Sequence, residues 1–403
     1  MARPNLVART RRLDEDIDLL AVAADAGLLF QRDRSGFAGR GCALRVPLAE
    51  VGEALSEIDS EDDVGRPGCG PVAFGALPFL PGAPATLSIP EIVVGRELDG
   101  TRWITHIGPN SSSEPVTPFW SAPTARPSSG PTSFQVHSSR PPSEWCDAVA
   151  TATDRIKQGD LDKVVLAREV VVSADRPIPV ADVLVRLSQS YPGCFVFSVD
   201  GLVGATPELL VSRQGDIVRA QPMAGTTARR GDPQADARLA AGLLASPVYR
   251  HEHEVTIDMV HDTLLPFCSY LDDEAEPSVV ALANVQHLAT TVEGRLSHPP
   301  ASVLELVGAL HPTPAVCGRP REAALALIAE IEGLDRDRYA GTVGWVDADG
   351  NGQWAVSIRC AQIDGPKARL YGGNGIVGDS DPVTELAETR AKLQAMLTAI
   401  VRP

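Results

Sequence analysis

The sequence predicts an α+β fold built on antiparallel sheets. Its strand-like segments occur in runs joined by tight turns, and the helical segments are interspersed among them rather than alternating strictly with them. Strict alternation would indicate a parallel, doubly wound sheet, whereas runs of strands favour antiparallel pairing. With 403 residues, of which 44% are hydrophobic, the chain can form one large domain or two ordinary ones with a substantial core.

The first third of the chain contains short strand-like pieces among many glycines and prolines, such as "GCALRVPL", "GPVAFGALPF" and "TRWITHIG". Residues 117–134, "TPFWSAPTARPSSGPTSF", are rich in proline and serine and predict a long surface loop. Residues 1–135 carry no motif that we can place. We expect them to be a variable N-terminal part of the same fold as residues 136–403.

The pattern becomes clearer from residue 140 onward. The first helix there opens with Pro142 and Ser143 ahead of Glu144, which is typical of a helix start. The predicted elements, in order, are a helix over 141–160, strands over 163–173, 194–201 and 209–222, helices around 233–245, 249–270, 301–310 and 320–332, a hairpin over 341–363, a strand over 368–373 and a final helix.

The chain is acidic, with 36 Lys and Arg against 52 Asp and Glu and a formal net charge of -16. We therefore expect neither a nucleic acid nor a membrane as a partner. A small anion would need a local basic pocket or a bridging cation. The seven cysteines include no C-x-x-C pair, which argues against a zinc module or a disulfide framework and favours a reducing, cytoplasmic location. The expected assembly is a monomer.

Near the C-terminus, Gly373, Gly375 and Gly378 form a literal G-x-G-x-x-G. A dinucleotide-binding fingerprint also needs a second parallel strand with an acidic residue beyond the following helix, and the chain stops at Pro403, too soon for that strand. We expect instead that the glycines lie where the backbone closely approaches a ligand or a neighbouring segment.

Two further motifs have ordinary interpretations. Asp347, Asp349 and Asn351 have the spacing of an EF-hand loop, but Ile358 occupies the twelfth position, where a bidentate glutamate belongs. Alternating strands flank this stretch, which predicts a β-hairpin. The stretch "HEHE" at 251–254 lacks the second histidine of HExxH, so zinc is not indicated.

Carboxylates on two helices are candidate metal ligands. On the final helix, Glu385, Glu388 and Lys392 share a face, and Glu388 with Lys392 could simply be a solvated i,i+4 ion pair. The glycine-rich stretch just before this helix favours a functional site. Glu252 lies on a helix with apolar residues on both faces, where a carboxylate is costly unless it is paired or bound to a metal. Two such carboxylates brought together by the fold would suit Mg²⁺.

Two residues that begin apolar strands are candidates for proton transfer. Lys163 heads "KVVLAR"; most such lysines extend into water, but a partly buried one could act as a general base. Glu208 precedes the strand in "GATPELLV", and apolar neighbours could raise its pKa enough to keep it a proton donor near neutrality.

Nine blocks of sequence, taken together, resemble the chorismate-utilising enzymes, and most closely the isochorismate synthases. The resemblance covers residues 140–400. In order, the blocks are "KVVLAR", "TPELL", "PMAGTTARRGD", "RHEHE", "QHL", "HPTPAVCG", "YAGTVGWVDADGNGQW", "SIRCAQ" and "GGNGIVGDSDPVTELAETRAKL".

The resemblance implies a Mg²⁺-dependent isomerase that binds chorismate, adds water at C2 and removes the C4 hydroxyl. Lys163 matches the base that activates the water, and Glu208 matches the acid that protonates the departing hydroxyl. Glu252 and Glu388 match the Mg²⁺ ligands, with Glu385 as a supporting carboxylate. The implied fold is that of anthranilate synthase component I, a large single domain with antiparallel sheets packed face to face, helices outside and the site between them.

The resemblance also implies a set of substrate-binding positions. Residues matching those that hold a substrate carboxylate are Tyr339, Arg359, Gly373 and Lys392. Residues in blocks that line the pocket are Gly225, Thr226, His287, Ala315 and Val316.

Two positions separate members of the family. Anthranilate synthases usually carry Gln at the place of Lys163, and aminodeoxychorismate synthases carry Lys at the place of Ala224, so the pair found here indicates water as the nucleophile. This leaves isochorismate synthase and, as the alternative, salicylate synthase, which also eliminates pyruvate. A non-catalytic relative is a further alternative.

The sequence departs from the family pattern at Thr206 and at Asn374, where a smaller residue is common. The product could feed menaquinone or siderophore biosynthesis.

Overall fold

The computed structural model of the chain describes residues 4–109, 130–282 and 285–401. Most of the predicted surface loop at 117–134 lies outside the described residues, and its last residue, Phe134, begins a strand.

The strands and helices follow in chain order. The first nine strands are β1 (Leu6–Arg12), β2 (Leu28–Arg32), β3 (Ser35–Arg40), β4 (Leu44–Pro47), β5 (Asp59–Asp62), β6 (Val72–Leu77), β7 (Thr86–Ile89), β8 (Ile92–Arg96) and β9 (Arg102–Pro109). The next nine are β10 (Phe134–Ser138), β11 (Lys163–Ala174), β12 (Phe195–Val199), β13 (Leu202–Thr206), β14 (Leu209–Gln214), β15 (Ile217–Gln221), β16 (Met223–Ala228), β17 (Cys268–Asp273) and β18 (Ser278–Ala281). The last are β19 (Val285–Ala289), β20 (Val292–Leu296), β21 (Gly318–Arg319), β22 (Thr342–Asp347), β23 (Gly352–Val356), β24 (Cys360–Asp364) and β25 (Lys367–Ile376). The helices are α1 (Leu19–Ala23), α2 (Val51–Ser56), α3 (Pro142–Lys157), α4 (Val180–Ser190), α5 (Pro233–Ala245), α6 (Pro247–Leu264), α7 (Val303–Leu310), α8 (Arg321–Ile331) and α9 (Pro382–Val401).

The strands of the described residues form three sheets. The large sheet has the order β10-β11-β25-β24-β13-β12-β2-β3-β8-β9-β1-β5, with β21 also paired to β11. The second sheet has the order β17-β20-β15-β14-β23-β22-β6-β7-β4, and the small sheet is β16-β19-β18. Pairing is antiparallel, except between β1 and β5. The predicted α+β class with antiparallel sheets is confirmed.

The large and second sheets pack face to face. Phe37 of the large sheet places its ring 4.5 Å from that of Trp345 in the second sheet, and 6.4 Å from Phe74 beside it. Strands from the first third of the chain belong to both sheets, because β2 pairs with β12 and β6 pairs with β22. Two apolar faces in contact exclude water from both, which is how a layered fold builds its core.

Helices cover the outer face of the large sheet. Leu184 and Leu187 of α4, together with Leu393 and Met396 of α9, join a second apolar cluster that includes Leu370 of β25. Helix α9 is therefore held against the strand that carries the glycine-rich stretch, and this contact fixes where its polar face points.

Several predicted elements differ from the observed ones. The strand expected at 209–222 is two strands, β14 and β15, that pair with each other. The hairpin expected at 341–363 ends with β23 at Val356, and β24 belongs to the large sheet. The helix expected at 249–270 ends at Leu264, and residues 268–273 form β17, which pairs with β20. Pro266 explains the end, because proline cannot continue the hydrogen-bond ladder of a helix. The strand expected at 368–373 runs on to Ile376, so Gly373 and Gly375 lie within a strand and not in a loop.

A fully buried ion pair ties β11 to the neighbouring loop. The side chains of Glu332 and Arg336 are 0% and 3% exposed and lie 2.6 Å apart. Glu332 accepts a hydrogen bond from the backbone N–H of Ala167 in β11. Arg336 donates to the backbone carbonyls of Val165, also in β11, and Val316.

We expect Glu332→Ala to lower the free energy of unfolding by about 3–5 kcal/mol, because it leaves the arginine charge buried and unpaired. Chemical denaturation measures this change. The control is Glu293→Ala, which removes an ion pair with Arg219 whose side chains are both 49% exposed; there the loss should stay within about 1 kcal/mol. Equal losses in the free energy of unfolding of the two variants would show that the buried ion pair stabilises the fold no more than the exposed one.

Candidate active site

A cavity of about 1010 Å³ opens between β11, β25, α6, α9 and the small sheet. All the residues named from the sequence as site candidates line it. They are Lys163, Glu208, Gly225, Thr226, Glu252, His287, Ala315, Val316, Tyr339, Arg359, Gly373, Glu385, Glu388 and Lys392. The fold thus brings together residues that are more than 200 positions apart, while the role of each remains a prediction.

Lys163 begins β11 and points along the cavity wall, not into bulk water. Its side chain is 14% exposed, and its Nζ lies 2.6 Å from Glu252 Oε1. The stem of the lysine crosses Gly375 of the adjacent strand, where an added Cβ would lie 2.5 Å from Lys163 Cε. This is a close approach of the kind expected for the glycine-rich stretch.

We expect Gly375→Ala to reduce kcat at least tenfold, because the new methyl group must displace the Lys163 side chain. A displacement of about 1 Å can cost about 10²-fold in rate when the displaced group takes part in the reaction, as Lys163 is predicted to do. Gly378→Ala is the matched control, since an added Cβ there has its nearest atoms at 3.7 and 3.9 Å, which is ordinary contact. Steady-state kinetics of the two variants measures the difference in kcat. Similar kcat values in both would refute the prediction that displacing Lys163 lowers activity.

Glu208 lies at the end of the loop before β14 and is buried, with 4% of its surface exposed. Burial raises its pKa to about 8, although the positive charges of Arg359 and Lys163 act in the opposite direction. A carboxyl group with such a pKa is mostly protonated at neutral pH and can donate a proton.

Arg359 carries an unsatisfied donor on the cavity wall. It is 9% exposed and adopts a positive φ of 50° between β23 and β24. Its Nε has no hydrogen-bond partner in the part of the chain that the structure describes. Burial lowers its pKa from the ordinary arginine value. A buried guanidinium that lines a cavity is suited to a carboxylate ligand, which would compensate its charge.

Neutral polar groups lie beside this arginine. His287 Nδ1 is 3.0 Å from Thr226 Oγ1, and burial, with Arg359 and Lys392 nearby, lowers the pKa of His287 to about 3. The histidine is therefore uncharged at neutral pH. Tyr339 is buried and stacks on Tyr371 with ring centroids 4.9 Å apart.

The polar face of α9 points into the cavity. Lys392 is 8% exposed, and its Nζ contacts Glu388 Oε1 at 2.7 Å and the carbonyl of Gly373 at 3.0 Å. Burial lowers the pKa of Lys392, and the charge of Glu388 opposes this. The ion pair that the sequence allowed therefore exists, but it lines a cavity and is not part of a solvated stripe.

Helix α6 is less enclosed than expected. Glu254 and Asp258 are exposed and do not line the cavity, so the expectation that both sides of this helix are covered is wrong. Glu252 itself is 33% exposed toward the cavity, where Lys163 compensates its charge.

The carboxylates fit a magnesium ion by their chemistry. Glu252 and Glu388 would be the ligands and Glu385 their neighbour, and oxygen is the donor that Mg²⁺ prefers, with water and anionic substrate completing its shell. Among residues 4–109, 130–282 and 285–401, no three His, Cys, Asp or Glu side chains are grouped so that they alone could hold a metal.

The remaining sequence motifs have structural explanations. β25 has antiparallel neighbours on both sides, β11 and β24, whereas a dinucleotide fingerprint requires a parallel βαβ unit. The EF-hand-like stretch is the β22–β23 hairpin, as predicted, and Asp347 accepts hydrogen bonds from the backbone N–H groups of Gly68 and Asn351.

Several cavity residues were not identified from the sequence. No spacing or periodicity assigns them to a site, although Met223, His251, Ser380 and Thr384 lie within the family-like blocks. They are Met223, Tyr249, His251, Thr256, Ser380 and Thr384.

Comparison with known proteins decides the family. Residues 49–401 match the model described as "Chorismate binding enzyme", a match that begins inside the segment 1–135. The chain belongs to the chorismate-binding enzyme family. It is 39% identical over 351 residues to a putative isochorismate synthase MenF of Mycobacterium tuberculosis, covering 83% of this chain and 88% of that protein. It is 41% identical over 270 residues to isochorismate synthase DhbC of Bacillus subtilis, covering 64% and 68%.

Two solved structures share the fold. A putative 2,3-dihydroxybenzoate-specific isochorismate synthase from Bacillus anthracis has a TM-score of 0.78 and 33% identity, covering 94% of this chain and 98% of that one. Anthranilate synthase component I from Streptococcus pneumoniae has a TM-score of 0.71 at 20% identity, covering 96% of this chain and 92% of that one, and this likeness concerns the fold alone. None of the helices in the described ranges has the length and hydropathy needed to cross a membrane.

Proposed function

We propose that this chain is a Mg²⁺-dependent isochorismate synthase, an isomerase that converts chorismate to isochorismate. The observation that carries the proposal is the meeting, in one cavity, of Lys163 and of a Glu208 whose pKa is about 8. Similarity to proteins named isochorismate synthase supports it over the salicylate synthase alternative. We further propose that the protein acts as a cytoplasmic monomer.

Two side chains would move the protons. Lys163 would accept a proton from water as the water oxygen bonds to C2 of chorismate. The ring double bonds shift, the C4–O bond breaks, and Glu208 gives its proton to the departing hydroxyl, which leaves as water. One water enters and one leaves, so the reaction is an isomerisation. General acid and base catalysis of this kind contributes about 10²–10⁴-fold each.

The positive groups of the cavity would bind the two carboxylates of the substrate. Arg359, with its unpaired Nε, and Lys392 supply charge in an otherwise acidic protein. Gly373 keeps the backbone open beside them, since a Cβ there would lie 3.0 Å from Tyr339 Oη. Glu252 and Glu388, supported by Glu385, would hold the magnesium ion. Bound there, it would act as a Lewis acid on a substrate carboxylate.

Incubation of the purified protein with chorismate and Mg²⁺, without ammonia, tests the proposal. Isochorismate and pyruvate are quantified together, and EDTA is added to a parallel sample. We expect isochorismate without pyruvate, and loss of the activity in EDTA. Salicylate with pyruvate would instead identify a salicylate synthase, and unchanged chorismate would refute the catalytic proposal.

A further inference from the structure

Asn374 lies between two glycines of β25, and the alternation of side chains along a strand directs it away from the side that Gly373 and Gly375 present. It is 1% exposed, and it is not among the cavity-lining residues, whereas Gly373 and Gly375 are. Its side chain points to α9, which packs on this face of β25. Asn374 is also one of the positions where the sequence departs from the family pattern.

Both ends of the Asn374 side-chain amide are engaged by residues of the candidate site. Nδ2 donates to Glu385, at 2.8 Å to Oε2 and at 2.9 Å to the backbone carbonyl. Oδ1 accepts a hydrogen bond from Lys392 Nζ at 2.8 Å. A side-chain amide presents a donor at one end and an acceptor at the other, so Asn374 can bind a carboxylate through Nδ2 and an ammonium group through Oδ1.

The two residues that it joins are otherwise held by different groups. The second carboxylate oxygen of Glu385 accepts a hydrogen bond from Ser380 Oγ at 2.8 Å. Lys392 is held by Glu388 and by the carbonyl of Gly373. The Asn374 amide is therefore a direct link between the proposed metal carboxylates and the proposed substrate-binding lysine.

We infer that Asn374 is a positioning residue that orients Glu385 for the magnesium ion and Lys392 for the substrate carboxylate at the same time. This inference rests on the proposed function. Residues that hydrogen-bond to metal ligands and orient them commonly contribute about 10–100-fold to metal affinity or activity. Loss of the amide should consequently weaken the binding of both the cation and chorismate.

The test compares Asn374→Ala with Ser380→Ala. Calorimetric titration of the substrate-free protein gives the Mg²⁺ dissociation constant, and KM for chorismate is measured at saturating Mg²⁺. We expect Asn374→Ala to raise both constants about tenfold. Ser380→Ala removes the hydrogen bond to Glu385 and one accepted from the backbone N–H of Val377, but none to Lys392. It should therefore raise the Mg²⁺ dissociation constant and leave KM within about twofold.

If Asn374→Ala does not fold, Asn374→Ser serves instead, because its side chain is too short to reach both partners and should give the same double loss. Constants unchanged within about twofold in the folded variant, or a change in only one of them, would overturn the inference. Turnover by the wild-type chain tests the proposed function separately. The Mg²⁺ titration needs no turnover, so it tests the link to Glu385 whichever reaction the chain catalyses.

Discussion

Lys163→Ala is expected to lower kcat by about 10²–10⁴-fold, because it removes the proposed base. Lys163→Arg distinguishes the loss of a base from the loss of a positive charge. Arginine retains a positive charge beside Glu252 but stays protonated at any accessible pH, so it can keep the ion pair without accepting a proton. We therefore expect both variants to be inactive, whereas a lysine needed only for its charge would leave the arginine variant active.

The control for the Lys163 variants is Lys367→Ala. Lys367 is an exposed residue at the start of β25 that does not line the cavity. This variant should keep wild-type kcat, and circular dichroism should show all three proteins folded. Near-normal turnover in folded Lys163→Ala would contradict the proposal that Lys163 is the base.

Glu208→Gln is expected to lower kcat by a similar factor of about 10²–10⁴, because glutamine keeps the shape of the side chain but has no proton to give. The pH profile adds a second readout. Since the pKa of Glu208 is about 8, the wild type should lose activity as the pH rises through that value and the acid ionises. The residual activity of Glu208→Gln should lack this decline; a wild-type rate that stays flat to about pH 10 would contradict the assignment.

The same carboxyl group should affect stability in a pH-dependent way. Burial raises its pKa from 4.5 to about 8, so the folded chain keeps a proton that the unfolded chain releases between these values. The folded state therefore loses stability as pH rises through this range. Glutamine cannot ionise, so the Tm of Glu208→Gln relative to wild type should increase between about pH 5 and pH 8. A constant difference in Tm would argue against the raised pKa.

Much of the fold could be predicted from the order of local patterns. Grouped strands predicted antiparallel sheets, and the helices α5, α7 and α8 were found close to their expected limits. The error at 249–270 arose because residues 268–273 are half polar, and only pairing with β20 makes them a strand. Likewise, nothing local shows that the glycine-rich stretch continues β25, because glycine has a weak preference for strands and the neighbouring β11 holds it there.

For the candidate site, too, the sequence supplied one part of the information and the tertiary structure the other. The sequence by itself determined the chemical groups: a lysine and a glutamate at the heads of apolar strands, carboxylates at helical spacing, and blocks that resemble one enzyme family. Only the tertiary structure decided that Lys163 meets Glu252 across 89 positions and that Asn374 joins Glu385 to Lys392. Residue type and spacing fix local conformation, but these distances depend on how β11, β25, α6 and α9 pack, and burial raises the pKa of Glu208 only once the sheets have closed around it.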